Sequence, residues 1–281
     1  MRADSVHLLN AVIASAFLEN RTGGFELRQG PYVVRLATET ADLIAALRLR
    51  FEVFNLEVGE GLESAYLTGH DTDEFDPVCS HLVVEHAPSR RVVGTYRLQT
   101  GSSAKANLGY YSEREFDFSP YEPFRCETIE LGRACVHADH RNFNLLQLLW
   151  RGIACYAVER NARFLIGCSS ISSQDTVEGA ETYEELKHYL VEPHLRTQPR
   201  PDFRVVAERD HLSWCGRCTM TQSVASTITA GASSRLLRAY LAIGAKICGP
   251  PGIDRDFGTI DFLTLLDLHL LPAIVRAHFP R

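Results

Sequence analysis

With 281 residues, 45% of them hydrophobic and 23% charged, the chain has the make-up of a globular protein with a sizeable core. A formal net charge of −6 and a pI near 6.0 argue against general nucleic-acid binding, and no apolar run reaches the roughly eighteen residues that a membrane span needs. Eight cysteines, most of them inside apolar runs (Cys135, Cys155, Cys168, Cys248), read as buried free thiols of a cytosolic protein.

The first residues lack the basic and apolar regions of a signal peptide, and 7–18 reads as a short amphipathic or core helix, so 1–30 is expected to be a helical extension. A first strand is predicted over 31–37. Leu43, Ala46, Leu47, Phe51 and Phe54 then recur at helical spacing across 38–54. Residues 55–79 form a long acidic segment with Glu57, Glu60, Glu63, Asp71, Asp73, Glu74 and Asp76, which reads as a solvated loop, a lid or a binding loop. Two runs at 81–86 and 91–98 predict an antiparallel hairpin. Residues 108–124 are aromatic-rich and without a clear period. Beyond the central element described next, 163–169 predicts a buried strand and 176–189 a charged helix. The polar stretch 191–232 reads as an insertion, with only a short strand at 203–207. A helix over 233–243 stopped by Gly244, further strand-like runs and a last helix to Phe279 close the chain. This order predicts one α/β (mixed α+β) domain spanning 1–281.

The element around which the rest is arranged is 129–153. An apolar run carrying Glu130 and Arg133 passes through Asp139-His140-Arg141-Asn142 into Leu145, Leu146, Leu148, Leu149 and Ile153, a strand–turn–helix. Residues three apart on a strand face opposite sides unless a bulge intervenes. A carboxylate and a guanidinium inside such a strand must be paired or used. The helix start offers free backbone N–H groups to a phosphate-bearing ligand.

Particular blocks then narrow the field: Arg50-Phe-Glu-Val-Phe54 with Glu57, Asp73-Glu-Phe-Asp76, Gly94-Thr-Tyr-Arg-Leu98 and Glu130-Leu-Gly-Arg133 resemble the series in acyl-homoserine-lactone synthases. The segments GYYSEREFD, ELGRACVHADHR, LLQLLWRGIA, LIGCSS, LLRAYLAIGAKICG and DRDFGTIDFLTLLD look still more like ornithine-acyl-carrier-protein N-acyltransferases, a hemolysin-like family that makes lyso-ornithine lipid. The resemblance implies the GCN5-related N-acyltransferase fold, a central, mostly antiparallel mixed sheet flanked by helices. It also implies transfer of a (3-hydroxy)acyl group from acyl carrier protein, through its 4'-phosphopantetheine thioester and with no other cofactor, to the α-amino group of ornithine.

Under that resemblance Glu130 is the candidate general base, with Arg97 and Arg133 holding acidic side chains around it; a structural Glu130–Arg133 or Glu130–Arg97 ion pair is the rival. Asp73, Asp76 and Glu57 are candidates for the cationic acceptor. Val136, Arg141, Asn142, Phe143, Asn144, Arg50 and Phe54 are candidates for the acyl donor, Arg141 and the N–H groups after it for its phosphate. Arg48, Arg50, Arg151, Arg160 and Arg163 are candidates for docking acidic acyl carrier protein. Phe51, Phe54, Tyr110, Phe116, Leu149 and Trp150 are of the kind that would wall an acyl tunnel. Apolar faces on the first and last helices suggest peripheral membrane contact. Three alternatives stay open: a glycine-like acceptor, a non-catalytic acyl-carrier-protein-binding module, and a dithiol or metal role for Trp214-Cys-Gly-Arg-Cys218 with His211. No metal site is expected.

Overall fold

The computed structural model describes residues 24–205 and 232–271. The expected helices at 7–18 and 272–279, and Cys215, Cys218 and His211, lie outside them. Nine strands form one sheet: β1 (Glu26–Gln29), β2 (Tyr32–Leu36), β3 (Ser80–His86), β4 (Arg91–Thr100), β5 (Thr128–Val136), β6 (Phe164–Ile171), β7 (Lys246–Ile247), β8 (Gly252–Asp254) and β9 (Thr259–Asp267). Their order is β1-β2-β3-β4-β5-β6-β9-β7, with β8 also paired to β9. Every pairing is antiparallel except β5 with β6. That is the mostly antiparallel mixed sheet the sequence predicts.

One face is covered by α3 (Phe143–Glu159). Its Leu145, Leu148, Leu149, Ile153 and Tyr156 pack on Val34, Leu82, Val84, Leu98, Ile129 and Leu266 in the main core. The helix starts where it does because the Asn142 side chain accepts a hydrogen bond from Leu145 N at 3.0 Å, filling an orphan donor of the first turn. The other face carries α1 (Thr40–Phe51), α2 (Gly101–Ala106) and an aromatic cluster of Tyr110, Phe116, Phe118 and Tyr121 against Ile166, Leu263 and Leu265. The charged helix α4 (Thr176–Leu186) and α5 (Ala232–Ala242) flank the β6–β9 side.

Two local readings are corrected. The acidic segment is ordered: α1 runs into a π-helical stretch at Glu52–Val58, followed by 3-10 turns at Glu63–Leu67 and Asp76–Val78. Asp71, Asp73 and Asp76 within it are 0%, 6% and 0% exposed, because arginines from the sheet and α1 neutralise them. The strand expected from Phe203 is instead a 3-10 turn at Pro201–Phe203, with Arg204 making a single bridge to Gly252.

What positions the site is the parallel pair. β5 and β6 are paired over only Thr128–Glu130 and Phe164–Ile166, and then splay apart. At the parting point Gly167 lies so close to β5 that a Cβ on it would stand 2.2 Å from the Leu131 carbonyl oxygen. The chain can cross there only without a side chain. Gly167→Ala is expected to force the strands apart and lose about 1–3 kcal/mol of stability, measured by urea unfolding.

Candidate active site

The splay opens into a cavity of about 640 Å³. One end is lined by Val136, Arg141, Asn142 and Phe143 at the start of α3. The middle is lined by β5 from Glu130 to Val136, and the other end by Glu60, Cys168, Asp254 and Asp261. Of the residues named for an acyl tunnel, Phe54 and Leu149 line this cavity. Trp150 lines a smaller adjoining hollow, and Phe51, Tyr110 and Phe116 line neither.

Glu130 and Arg133 reach the same cavity because β5 carries a bulge. Thr95 faces Cys135 and Arg97 faces Gly132, so one β4 residue stands opposite two of β5, and Arg133 takes a left-handed φ of 50°. The bulge reverses the parity that three-residue spacing alone would give. Neither rival ion pair forms. The Glu130 carboxylate accepts hydrogen bonds from Tyr111 N and Ser112 N, both at 2.8 Å, and from the Ser112 hydroxyl. Burial pushes its pKa up, against these hydrogen bonds and the charge of Arg97. A carboxylate raised in this way holds a proton more readily than a free one.

Arg97 and Arg133 hold acidic side chains, as expected. Arg97 Nη1 lies 2.6 Å from Asp73 and 3.2 Å from Asp76, and Arg133 Nη2 lies 3.0 Å from Asp73. The Arg133 guanidinium also stands over the rings of Tyr111 and Phe257, at 4.8 and 4.4 Å. Arg50 completes the network, with Nε 2.6 Å from Asp71 and Nη1 2.7 Å from Asp76. Burial works to raise the Asp76 carboxyl; Arg50 and Arg97 overcome it and hold the group well below the usual range.

This arrangement corrects several assignments. Asp73 and Asp76 are engaged by arginines and do not line the cavity, so they are supports rather than acceptor ligands. Glu57 is paired with Arg141, at 2.7 Å from Nη2, which sets it beside the helix start at the donor end. Arg50 is 1% exposed and offers nothing to a donor or to a carrier protein. Asn144 turns outward to Gln29 at 3.4 Å. Arg48, Arg160 and Arg163 stay near the surface beside Glu52, Glu159 and Asp267.

Tyr111 and Ser112, which hold Glu130, sit in the segment without a period and carry no periodicity signal, although they fall inside the GYYSEREFD block of the family resemblance. Asp254, Asp261 and Glu115 were also missed as site residues. Asp254 and Asp261 lie in the DRDFGTIDFLTLLD block of the resemblance and Glu115 in GYYSEREFD, which was the available hint. Glu115, Cys168 and Asp261 present ligand atoms within 4.8 Å of one another.

The acetyltransferase (GNAT) domain family matches residues 49–151. The L-ornithine N(alpha)-acyltransferase of Brucella abortus is 30% identical over 252 residues, covering 86% of each chain. The chain belongs to this family. The Rhodobacter capsulatus member is 29% identical over 259 residues, 89% of this chain and 95% of its own. Solved structures with a similar course include the AHL synthase LasI (11% identical, 90% and 95% covered, TM-score 0.48). Another is FeeM, an N-acyl amino acid synthase from uncultured soil microbes (10%, 88% and 94%, 0.49). The protein is therefore an N-acyltransferase of the GNAT fold.

The Arg50–Asp76 pair makes a direct prediction. Asp76→Ala leaves three buried guanidinium groups against two aspartates, Arg50 keeping only Asp71 and Arg97 only Asp73, and is expected to cost about 3–5 kcal/mol in urea unfolding at pH 7. Because the folded pKa of Asp76 is depressed, its contribution is present above the unfolded value of about 3.9 and lost as pH falls below it. The stability gap between wild type and variant should therefore narrow in acid.

Proposed function

We propose that the chain transfers a (3-hydroxy)acyl group from acyl carrier protein to the α-amino group of L-ornithine, giving lyso-ornithine lipid. The observation that carries this reading is the setting of Glu130. It is a buried carboxylate with no cationic partner among the described residues, held by main-chain N–H groups beside the cavity that begins at the α3 N-terminus. The acceptor follows the relatives' name.

In this scheme the pantetheine arm enters at the start of α3, its phosphate meeting the first-turn N–H groups and Arg141. The thioester lies along the splayed edge of β5. The ammonium gives a proton to Glu130, directly or through one water. The freed amine attacks the thioester carbonyl, the C–N bond forms, and the C–S bond breaks. The thiolate of the carrier leaves and takes up a proton. Holding the two substrates in one cavity would supply much of the rate by proximity. No described helix is long and apolar enough to cross a membrane, and carrier and substrate would meet the protein at its surface.

The test is a mass-spectrometric assay with purified protein, 3-hydroxyacyl carrier proteins and pooled amino acids. Wild type is expected to form N-acyl ornithine, and Glu130→Gln to lose about 10²–10⁴-fold in kcat/KM. The base must be ionised, so kcat/KM should fall below the raised pKa of Glu130. An N-acyl derivative of a different amino acid would keep the mechanism and replace the acceptor. Absence of any product would sink the catalytic reading.

A further inference from the structure

The cavity has an uneven charge balance. Asp71, Asp73 and Asp76 are matched by Arg50, Arg97 and Arg133. Glu60, Asp254 and Asp261 line the far end, with the Glu115 carboxyl behind Cys168 and Asp261 and outside the lining, and none of the four forms an ion pair with an arginine or lysine among the described residues. Asp261 is 3% exposed and lines the cavity, and its Oδ1 has no hydrogen-bond partner. Glu115 is 1% exposed, and its Oε1 is likewise unpartnered. Glu60 Oε1 is a third such oxygen, also on a cavity-lining residue. Buried carboxyls are normally satisfied, and several that converge with open acceptor positions mark a place where a donor belongs.

Register puts this group within reach of Glu130. Paired residues on adjacent strands share a face, so Glu130, its partner Ile166, then Cys168 and Ser170, and Asp261 opposite Ser170, all project to one side. Glu115 meets Cys168 Sγ at 3.8 Å. Cys168 is two residues along β6 from Ile166, a rise of about 6.6 Å. That step is comparable with the separation of the two nitrogens in a three-methylene diamino acid. Tyr111 spans the same gap, its N–H on Glu130 and its hydroxyl on Asp254 at 3.0 Å.

We propose that Asp261, Asp254 and Glu60, with Glu115 behind Asp261 as a positioning residue, form the subsite that receives the side-chain ammonium of a diamino-acid acceptor, leaving its α-amino group at Glu130. The proposal rests on the acyl-transfer reading above and adds the residues that select a basic acceptor. An ammonium brings three donors to the converging acceptors and neutralises the local excess of carboxyls. Until it arrives, burial keeps the Glu115 carboxyl well above its usual range, with the charges of Asp261 and Asp254 adding to the effect. A metal ion is the less suited occupant: burial pushes the Cys168 thiol far up, away from the thiolate a metal needs, and only three ligands converge.

The experiment compares wild type, Asp261→Asn and Glu115→Gln as full chains with acyl carrier protein thioester. The acceptors are ornithine and norvaline, which has the same carbon chain without the side-chain amine. Wild type should prefer ornithine. Each variant should raise the KM for ornithine about 10- to 100-fold, with norvaline turnover retained and the preference erased. A thermal melt without substrate should show Asp261→Asn at least as stable as wild type, since it removes an unpaired acid, and ornithine should raise the wild-type midpoint but not the variant's. Variants that fold and keep the wild-type KM and preference would overturn the proposal, as would a midpoint raised by zinc and not by ornithine. Wild type that acylates norvaline as well as ornithine overturns the subsite but leaves acyl transfer standing. Wild type that acylates no amino acid overturns both.

Discussion

Three arginines from three separate elements meet three aspartates from one short segment, and the site depends on that meeting. Arg50 comes from α1, Arg97 from β4 and Arg133 from the bulge in β5. Asp71, Asp73 and Asp76 come from the segment between α1 and β3. Each group is too deeply buried to be ionised alone, so the six hold one another in place. His81 adds a hydrogen bond from Nε2 to the Asp76 carbonyl at 3.0 Å. The consequence is mechanical as well as electrostatic. The acidic segment is clamped over the sheet, Phe75 is fully buried within it, and the Arg133 side chain is turned toward the cavity instead of away from it.

Against that balanced network the unpaired carboxyls take on meaning. One protein contains acids held ionised by arginines and, a few ångströms away, acids lifted by burial. Environment alone separates the two groups: Asp76 is pushed down by its guanidinium partners, whereas Glu115, Glu130 and Asp261 are pushed up by burial. The first set builds the wall. The second is free to exchange protons and to meet a cation, which is the chemistry that acylating an amine calls for.

Much of the scaffold was legible in the sequence. The change of period from strand to helix within 129–153, through the polar turn at 139–142, and the hairpin before it are local signals, and the structure reproduces them. The site was legible only in part. Glu130 stood out because a carboxylate interrupts an apolar strand. Asp73 and Asp76 looked like a solvated charge run because their partners are 21 to 60 residues away along the chain. The left-handed position of the bulge falls on Arg133 and not on the neighbouring Gly132, so the shared orientation of Glu130 and Arg133 had to come from β4 register. Asp261 sits in a strand of apolar character, and its role emerges only when Ser170 and Cys168 are brought opposite by β6.

The most direct measurement uses ornithine labelled with ¹⁵N at the α position, incubated with the enzyme and a 3-hydroxyacyl carrier protein. The nitrogen that becomes an amide is then read by NMR and fragment mass. If Glu130 takes the proton of an amine held in place by the acidic end of the cavity, the label appears in the amide and the side-chain nitrogen stays free. Acylation at the side-chain nitrogen, or an even mixture of the two, would contradict the placement of Glu130 at the reacting amine.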